Sequence, residues 1–356
     1  MLRSTTLRRF RTPALAAAAT LLLAASLVPV TGAASATPST RNCTEYTVPV
    51  SLAEGQPADY FIRGDLCLPA SGTPETVQVL VHGGTYNRTY WDFPYQPQLY
   101  SYAQFANRAG YATFNLDQIG TGRSSRPHSS LINFSVLAHG IHDVITALRA
   151  GGVGGTAFEK VIYVGHSLGT ATGWELAGTY SNDADAIIST GAINGLSATG
   201  AGSFVAFPAN QDPKFASLNL DDGHLTNIAD RPVFYWPATS DATVIQVDTD
   251  NRDTFPAPLL LELGTAFSSP LATAPTQSIT VPVLSVIGDK DALFCADAND
   301  CSDKAALELK EGSFHSNAPS FELAVIPQTG HDLNTHYTAP YSFITMINWA
   351  KQHAAP

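Results

Sequence analysis

Four apolar residues, Val161-Ile162-Tyr163-Val164, run directly into Gly165-His166-Ser167-Leu168-Gly169, and the next stretch, residues 170–180, has helical character. A strand that gives way to a helix within so few residues must turn sharply, and flanking glycines are what let a backbone turn that tightly. Such a turn pushes the serine out of the chain at the end of a sheet. It also aims the first N–H groups and the dipole of the following helix at that serine, where they can stabilise a developing negative charge. The string Gly-x-Ser-x-Gly is cheap in a chain with 27 glycines among 356 residues. Its flanks, and its partners further along the chain, are what give it meaning.

Around this turn the apolar pattern is regular. Residues 46–52 and 60–68 alternate as two strands joined through Gly55 and Pro57, an antiparallel opening to a sheet. Strand and helix then take turns: strand 76–81, helix 99–109, strand 111–116, helix 136–150, strand 160–164, the serine turn with its helix, and strand 186–189. This order predicts a mostly parallel sheet covered by helices on both faces, and the continuously apolar strands agree with that burial. Between residues 195 and 280 the rhythm breaks, and Phe204, Phe207, Phe215, Phe234, Tyr235, Trp236 and Phe255 are scattered among Pro, Asp and Asn. Ordinary connections run about 4 to 6 residues, so residues 195–280 read as an inserted lid between two parts of one core, residues 37–194 and 281–356. Strand 281–287, helix 305–310, strand 321–326 and an amphipathic helix over 341–352 complete it.

The N-terminus has a different character. Arg3, Arg8, Arg9 and Arg11 precede an Ala/Leu-rich run over residues 14–30, and Ala34-Ser35-Ala36 fits a small-residue cleavage site. Residues 1–36 therefore read as a signal peptide that is removed, giving a secreted protein with no stable membrane anchor after processing. Without those four arginines, 15 basic residues face 30 acidic ones, a net charge of −15. Such a surface argues against nucleic acid as a partner. Four cysteines in an exported chain suggest two disulfides. The local pairing, Cys43 with Cys67 and Cys295 with Cys301, is favoured because each pair flanks a short segment with turn residues. No metal is expected, since the Cys and His spacings of a zinc site are missing.

A serine hydroxyl at neutral pH needs an imidazole to take its proton, and the imidazole needs a carboxylate to fix its tautomer. Strand 281–287 is followed by Gly288-Asp289-Lys290-Asp291, and the last strand by Thr329-Gly330-His331-Asp332. Asp289 and Asp291 are both candidates for the acid. His331 is preferred over His224, His315 and His336 because it alone follows a terminal strand. For the oxyanion, one donor is the N–H of Leu168, and the other should come from His82-Gly83-Gly84-Thr85, the loop after strand 76–81. His82 is expected to hold that loop. Tyr86, Tyr90, Trp91, Phe93 and Tyr95 beyond it read either as lining for an apolar pocket or as core. Asp117 to Ser124, by its glycine spacing, fits no phosphate-binding loop and reads as a turn that supports the site.

On Ser167, Asp291 and His331, in that chain order at successive strand ends, the chain resembles the α/β-hydrolases. Residues 79–84, 117–124, 162–169, 286–291 and 330–331 carry the likeness most strongly. The resemblance implies an α/β-hydrolase fold and selects Asp291, three residues after the glycine that ends its strand, as the acid. It also points to Gly84 as the second oxyanion donor, with Thr85 the close alternative. The implied activity is that of a serine hydrolase cleaving carboxylic esters without a cofactor, with a small-molecule ester bearing an apolar or aromatic acyl group as its partner. Amidase or peptidase, thioesterase and perhydrolase chemistry share the same triad, and a binding protein on a hydrolase scaffold is the alternative from another class.

Overall fold

The computed structural model describes residues 42–228 and 231–356. The expected leader, residues 1–36, lies outside the described residues. The strands are β1 (Asn42–Val50), β2 (Tyr60–Leu68), β3 (Thr76–Val81), β4 (Ala112–Leu116), β5 (Lys160–His166), β6 (Ala186–Thr190), β7 (Ala206–Pro208), β8 (His224–Asn227), β9 (Phe255–Pro256), β10 (Val283–Gly288) and β11 (Phe321–Ile326). The α-helices are α1 (Pro97–Tyr100), α2 (Tyr102–Arg108), α3 (Phe134–Arg149), α4 (Leu168–Thr179), α5 (Ala198–Ser203), α6 (Ala242–Asn251), α7 (Ala257–Ser268), α8 (Lys304–Phe314) and α9 (Ala339–His353).

Eight strands form one sheet in the order β1-β2-β4-β3-β5-β6-β10-β11. β1 and β2 are antiparallel, as is β2 with β4, and from β4 onward every neighbour is parallel. Parallel neighbours need crossovers, and the helices supply them. α3 packs on α4, and α2 packs on α9, so that helices cover the sheet. Every residue of β3, β4, β6 and β10 is buried, as is every residue of β5 except Lys160, as strands enclosed on both faces require.

One sequence expectation is corrected here, and one is given detail. The single helix read over 99–109 is two, because Ser101 is extended (φ −97°, ψ 105°) and its hydroxyl caps the Gln104 N–H that begins α2. A serine in that position competes with the helix it interrupts. The segment between β6 and β10, which shows no regular pattern in sequence, holds α5, α6, α7 and a small antiparallel sheet in the order β7-β8-β9. Its strands span two to four residues, too short for a period of two to register.

Both disulfides join sequence-local pairs. Cys43 stands opposite Cys67 in the β1–β2 register, and Cys295 joins Cys301 in the loop after β10. Closing a 24-residue separation restricts the unfolded chain most. Replacing Cys43 and Cys67 with serine is therefore expected to cost about 3 kcal/mol, read as a lower urea midpoint. An unchanged midpoint would show that the sheet edge holds without the bond.

Candidate active site

The turn at Ser167 is as tight as the sequence suggests. β5 ends at His166, α4 begins at Leu168, and Ser167 between them has φ 52° and ψ −116°. A non-glycine residue held there costs about 1–3 kcal/mol. The Ser167 N–H donates to the Thr190 carbonyl at 2.8 Å, and its own carbonyl accepts from Thr170 and Ala171, which fixes the turn from both sides. The flanking glycines are steric necessities. A Cβ at Gly165 would stand 2.6 Å from the Gly169 carbonyl oxygen, and one at Gly169 would collide with the carbonyls of Val81 and His82.

Two further loops meet this turn. After β10, the Asp291 N–H closes back on the Gly288 carbonyl at 3.1 Å, and Asp291 Oδ1 accepts from the Leu293 N–H. Its other oxygen, Oδ2, is 2.8 Å from His331 Nδ1, and both side chains are buried. Asp289 faces elsewhere, pairing with Lys290 and accepting from the Thr329 N–H. The His331 ring lies among His166, Phe234 and Phe294, with centroids 4.9, 5.3 and 6.1 Å away. Burial alone would lower its pKa. The Asp291 carboxylate, through charge and hydrogen bond, outweighs burial and leaves His331 above the usual imidazole value.

The loop after β3 supplies the remaining wall. His82 is fully buried and anchors it, with Nδ1 2.8 Å from the Gly83 carbonyl and Nε2 accepting from the Gln118 N–H at 3.2 Å. Burial drives its pKa down to about 4, so it stays neutral. Asp117, in the turn after β4, accepts from the N–H groups of Arg88 and Arg123, so that turn buttresses the oxyanion loop. Thr85 has φ 64°, a costly conformation for a β-branched residue.

Gly84, Ser167 and Leu168 together line a cavity of about 190 Å³. The rest of its wall is apolar: Leu196, Phe204, Phe234, Phe255, Leu260 and Leu263 come from the segment between β6 and β10, and Leu293 and Phe294 from the turn beyond Asp291. The aromatics beyond the oxyanion loop are not in that wall. Tyr86, Tyr90, Trp91 and Phe93 are buried in the core instead, with the Tyr90 ring stacked on His166 at 4.1 Å.

One group of functional interest escapes sequence reasoning. Tyr86 Oη sits between the carboxylates of Asp248 and Asp332, Tyr235 donates to Asp248, and Arg231 pairs with Asp248, all of them buried. Burial raises the pKa of Asp332 and lifts Asp248 to about 6, against the opposing charge of Arg231. Only the adjacency of Asp332 to His331 hinted at this group. Among the described residues, His166, His331 and Asp332 bring possible metal donors within 4.8 Å of one another. Their hydrogen bonds run outward: His331 Nδ1 to Asp291, Asp332 Oδ2 to Tyr86, and His166 Nδ1 with Thr190 Oγ1 at 3.2 Å. Inside the trio, His166 Nε2 and Asp332 Oδ1 face each other at 3.5 Å, and neither atom has a hydrogen bond among the described residues.

Comparison with known proteins bears on the fold and the family. The profile of the Alpha/beta hydrolase family matches residues 78–341. No curated protein matches the chain in sequence. Among solved structures, E-2-(acetamidomethylene)succinate hydrolase superimposes with a TM-score of 0.54 at 16% identity, over 87% of this chain and 99% of that one. A thermophilic esterase from Thermogutta terrifontis gives 0.54 at 14% identity, over 87% and 100%. An esterase from Exiguobacterium antarcticum gives 0.56 at 13% identity, over 86% and 98%. At such identities the structures speak for the fold, and the profile, which spans well over half of the chain, speaks for the family. The chain belongs to the α/β-hydrolase family.

Proposed function

We propose that this hydrolase is a secreted serine esterase that works through an acyl-enzyme. The observation that carries the reading is Ser167, held in a strained turn that lines an apolar cavity with Gly84 and Leu168, with the buried His331–Asp291 pair delivered by the ends of β11 and β10. In this reading Ser167 Oγ attacks the ester carbonyl carbon while His331 takes its proton. The N–H groups of Leu168 and Gly84 stabilise the oxyanion. His331 then passes the proton to the departing alcohol, and a water activated by His331 breaks the acyl–serine bond. Asp291 holds His331 Nδ1–H throughout. Export is supported by the basic and apolar leader and by two disulfides, which persist in oxidising compartments.

The apolar wall favours an apolar acyl group over a charged or peptide-like one. Its volume sets a limit, since a cavity of about 150 Å³ takes benzene. Nitrophenyl esters of increasing acyl length should therefore show kcat/KM rising to an optimum near about six carbons and falling beyond it. Phe204→Ala, which removes a partly buried wall residue, is expected to move that optimum to longer chains. A profile that keeps rising to palmitate, or one blind to length, would refute the acyl assignment. A fluorophosphonate probe tests the chemistry itself: it should modify Ser167, and a non-catalytic binding protein would not react.

A further inference from the structure

Arg231, from the segment between β6 and β10, is buried to 1% exposure and reaches the base of the oxyanion loop. Its Nη1 lies 3.1 Å from both the carbonyl oxygen and the hydroxyl of Thr85. On its other side the guanidinium pairs with Asp248, and it stacks 4.0 Å from the centre of the Tyr86 ring. Asp248 is held in turn by the Tyr235 hydroxyl. A buried guanidinium is costly unless it is paired and its donors are used, and here Nη1 serves Thr85, Nη2 serves Asp248 and Nε has no partner among the described residues.

The residue served by Nη1 is the strained one. Thr85, at φ 64°, keeps its conformation only if its surroundings hold it. Its carbonyl accepts from Arg231 and, at 2.8 Å, from the Asp253 N–H, both on the inserted segment. The Thr85 carbonyl belongs to the peptide plane between Thr85 and Tyr86, so fixing it together with the hydroxyl limits rotation about the Thr85 Cα and, through that residue, restrains the preceding plane, which carries the Thr85 N–H. The Gly84 N–H lies one plane further back, and these two are the candidates for the second oxyanion donor. The same segment also grips the histidine loop, since the Phe234 carbonyl accepts from the Asp332 N–H at 3.1 Å and the Trp236 N–H donates to His336 at 3.0 Å.

We infer that Arg231 is a positioning residue: clamped by Asp248, it holds Thr85 so that the oxyanion loop keeps its N–H donors aimed at the reacting carbonyl. The inference rests on the esterase reading above. Arg231 touches no substrate. Its contribution is to the transition state, where a donor displaced by a fraction of an ångström loses most of its effect.

The test uses two kinds of variant. Arg231→Met combined with Asp248→Asn removes the paired cation and anion together, and Asp332, which burial already pushes towards its neutral form, is the acid left in the group. Thr85→Gly leaves the ions and the carbonyl bonds in place but removes the hydroxyl contact and the side chain that restricts rotation about the residue 85 backbone. Each is expected to lower kcat on a short nitrophenyl ester by about 10- to 100-fold, with KM changed by less than about twofold. Affinity for a trifluoromethyl ketone, which forms a tetrahedral oxyanion adduct on serine, should fall by the same factor as kcat, because a general loss of structure would not make the two track each other. Thr85→Gly is the arm that holds if the double variant fails to fold. Unchanged kcat in a folded variant overturns the clamp, and so does a fall in kcat without a matching fall in ketone affinity. A wild-type protein inert to both ester and fluorophosphonate would instead sink the esterase reading on which the clamp depends.

Discussion

Replacing Ser167 with alanine is expected to reduce kcat on a short-chain nitrophenyl ester by about 10,000-fold or more and to abolish fluorophosphonate labelling. The size follows from the chemistry. Without Oγ there is no acyl-enzyme, and the oxyanion donors and the cavity alone give only a small residue of the rate. The fold should tolerate the change, because alanine and serine meet the same strain at φ 52° and the turn is held by backbone bonds from Thr190, Thr170 and Ala171. An alanine variant that melts with the wild type and keeps more than about a hundredth of its rate would remove Ser167 from the reaction.

Asp291→Asn is expected to lower kcat by about 1,000- to 10,000-fold and to move the acid side of the pH–rate profile. His331 acts as a base only when neutral, so activity is lost as pH falls through its pKa. Burial works against the imidazolium, and the Asp291 carboxylate reverses that, leaving the pKa above the usual 6.5. The wild-type acid limb should therefore lie above that value. With the carboxylate gone, burial dominates and the limb should shift to lower pH while the ceiling of the profile collapses, because an amide no longer selects the tautomer with hydrogen on Nδ1. A variant whose limb stays in place would mean that another group sets the titration. Asp289→Asn, which faces Lys290, is the control expected to leave both features alone.

The parts of this architecture that were legible in the sequence are those written in local pattern. β2, β3 and β11 coincide with their apolar runs because each is a continuous or alternating strand bounded by turn residues. The approach of His331 to Asp291 could be anticipated because strand ends in a parallel sheet deliver residues to one rim. What local pattern does not carry is contact across distance. Arg231 meets Thr85 across 146 positions and Asp332 meets Tyr86 across 246; nothing in the flanks of Arg231 marks it, and Asp332 is marked only by its neighbour His331. The helix broken at Ser101 was misread for a related reason, since an apolar period continues through a residue whose hydroxyl caps the next turn. The aromatics after Thr85 suit a pocket and a core equally well in sequence, and only the path of the chain distinguishes them.

The segment between β6 and β10 forms most of the cavity wall and, through Arg231, Asp253 and Phe234, also braces the loops on either side of the serine. A designer who wishes to change which substrate is accepted therefore has no detachable part to exchange. Transplanting the whole segment from another hydrolase would bring new walls and take away the brace, so selectivity and speed would change together. Residues 196–203 and α7, which touch the cavity and make no hydrogen bond to the brace among the described residues, are where the first can be altered while the second is spared.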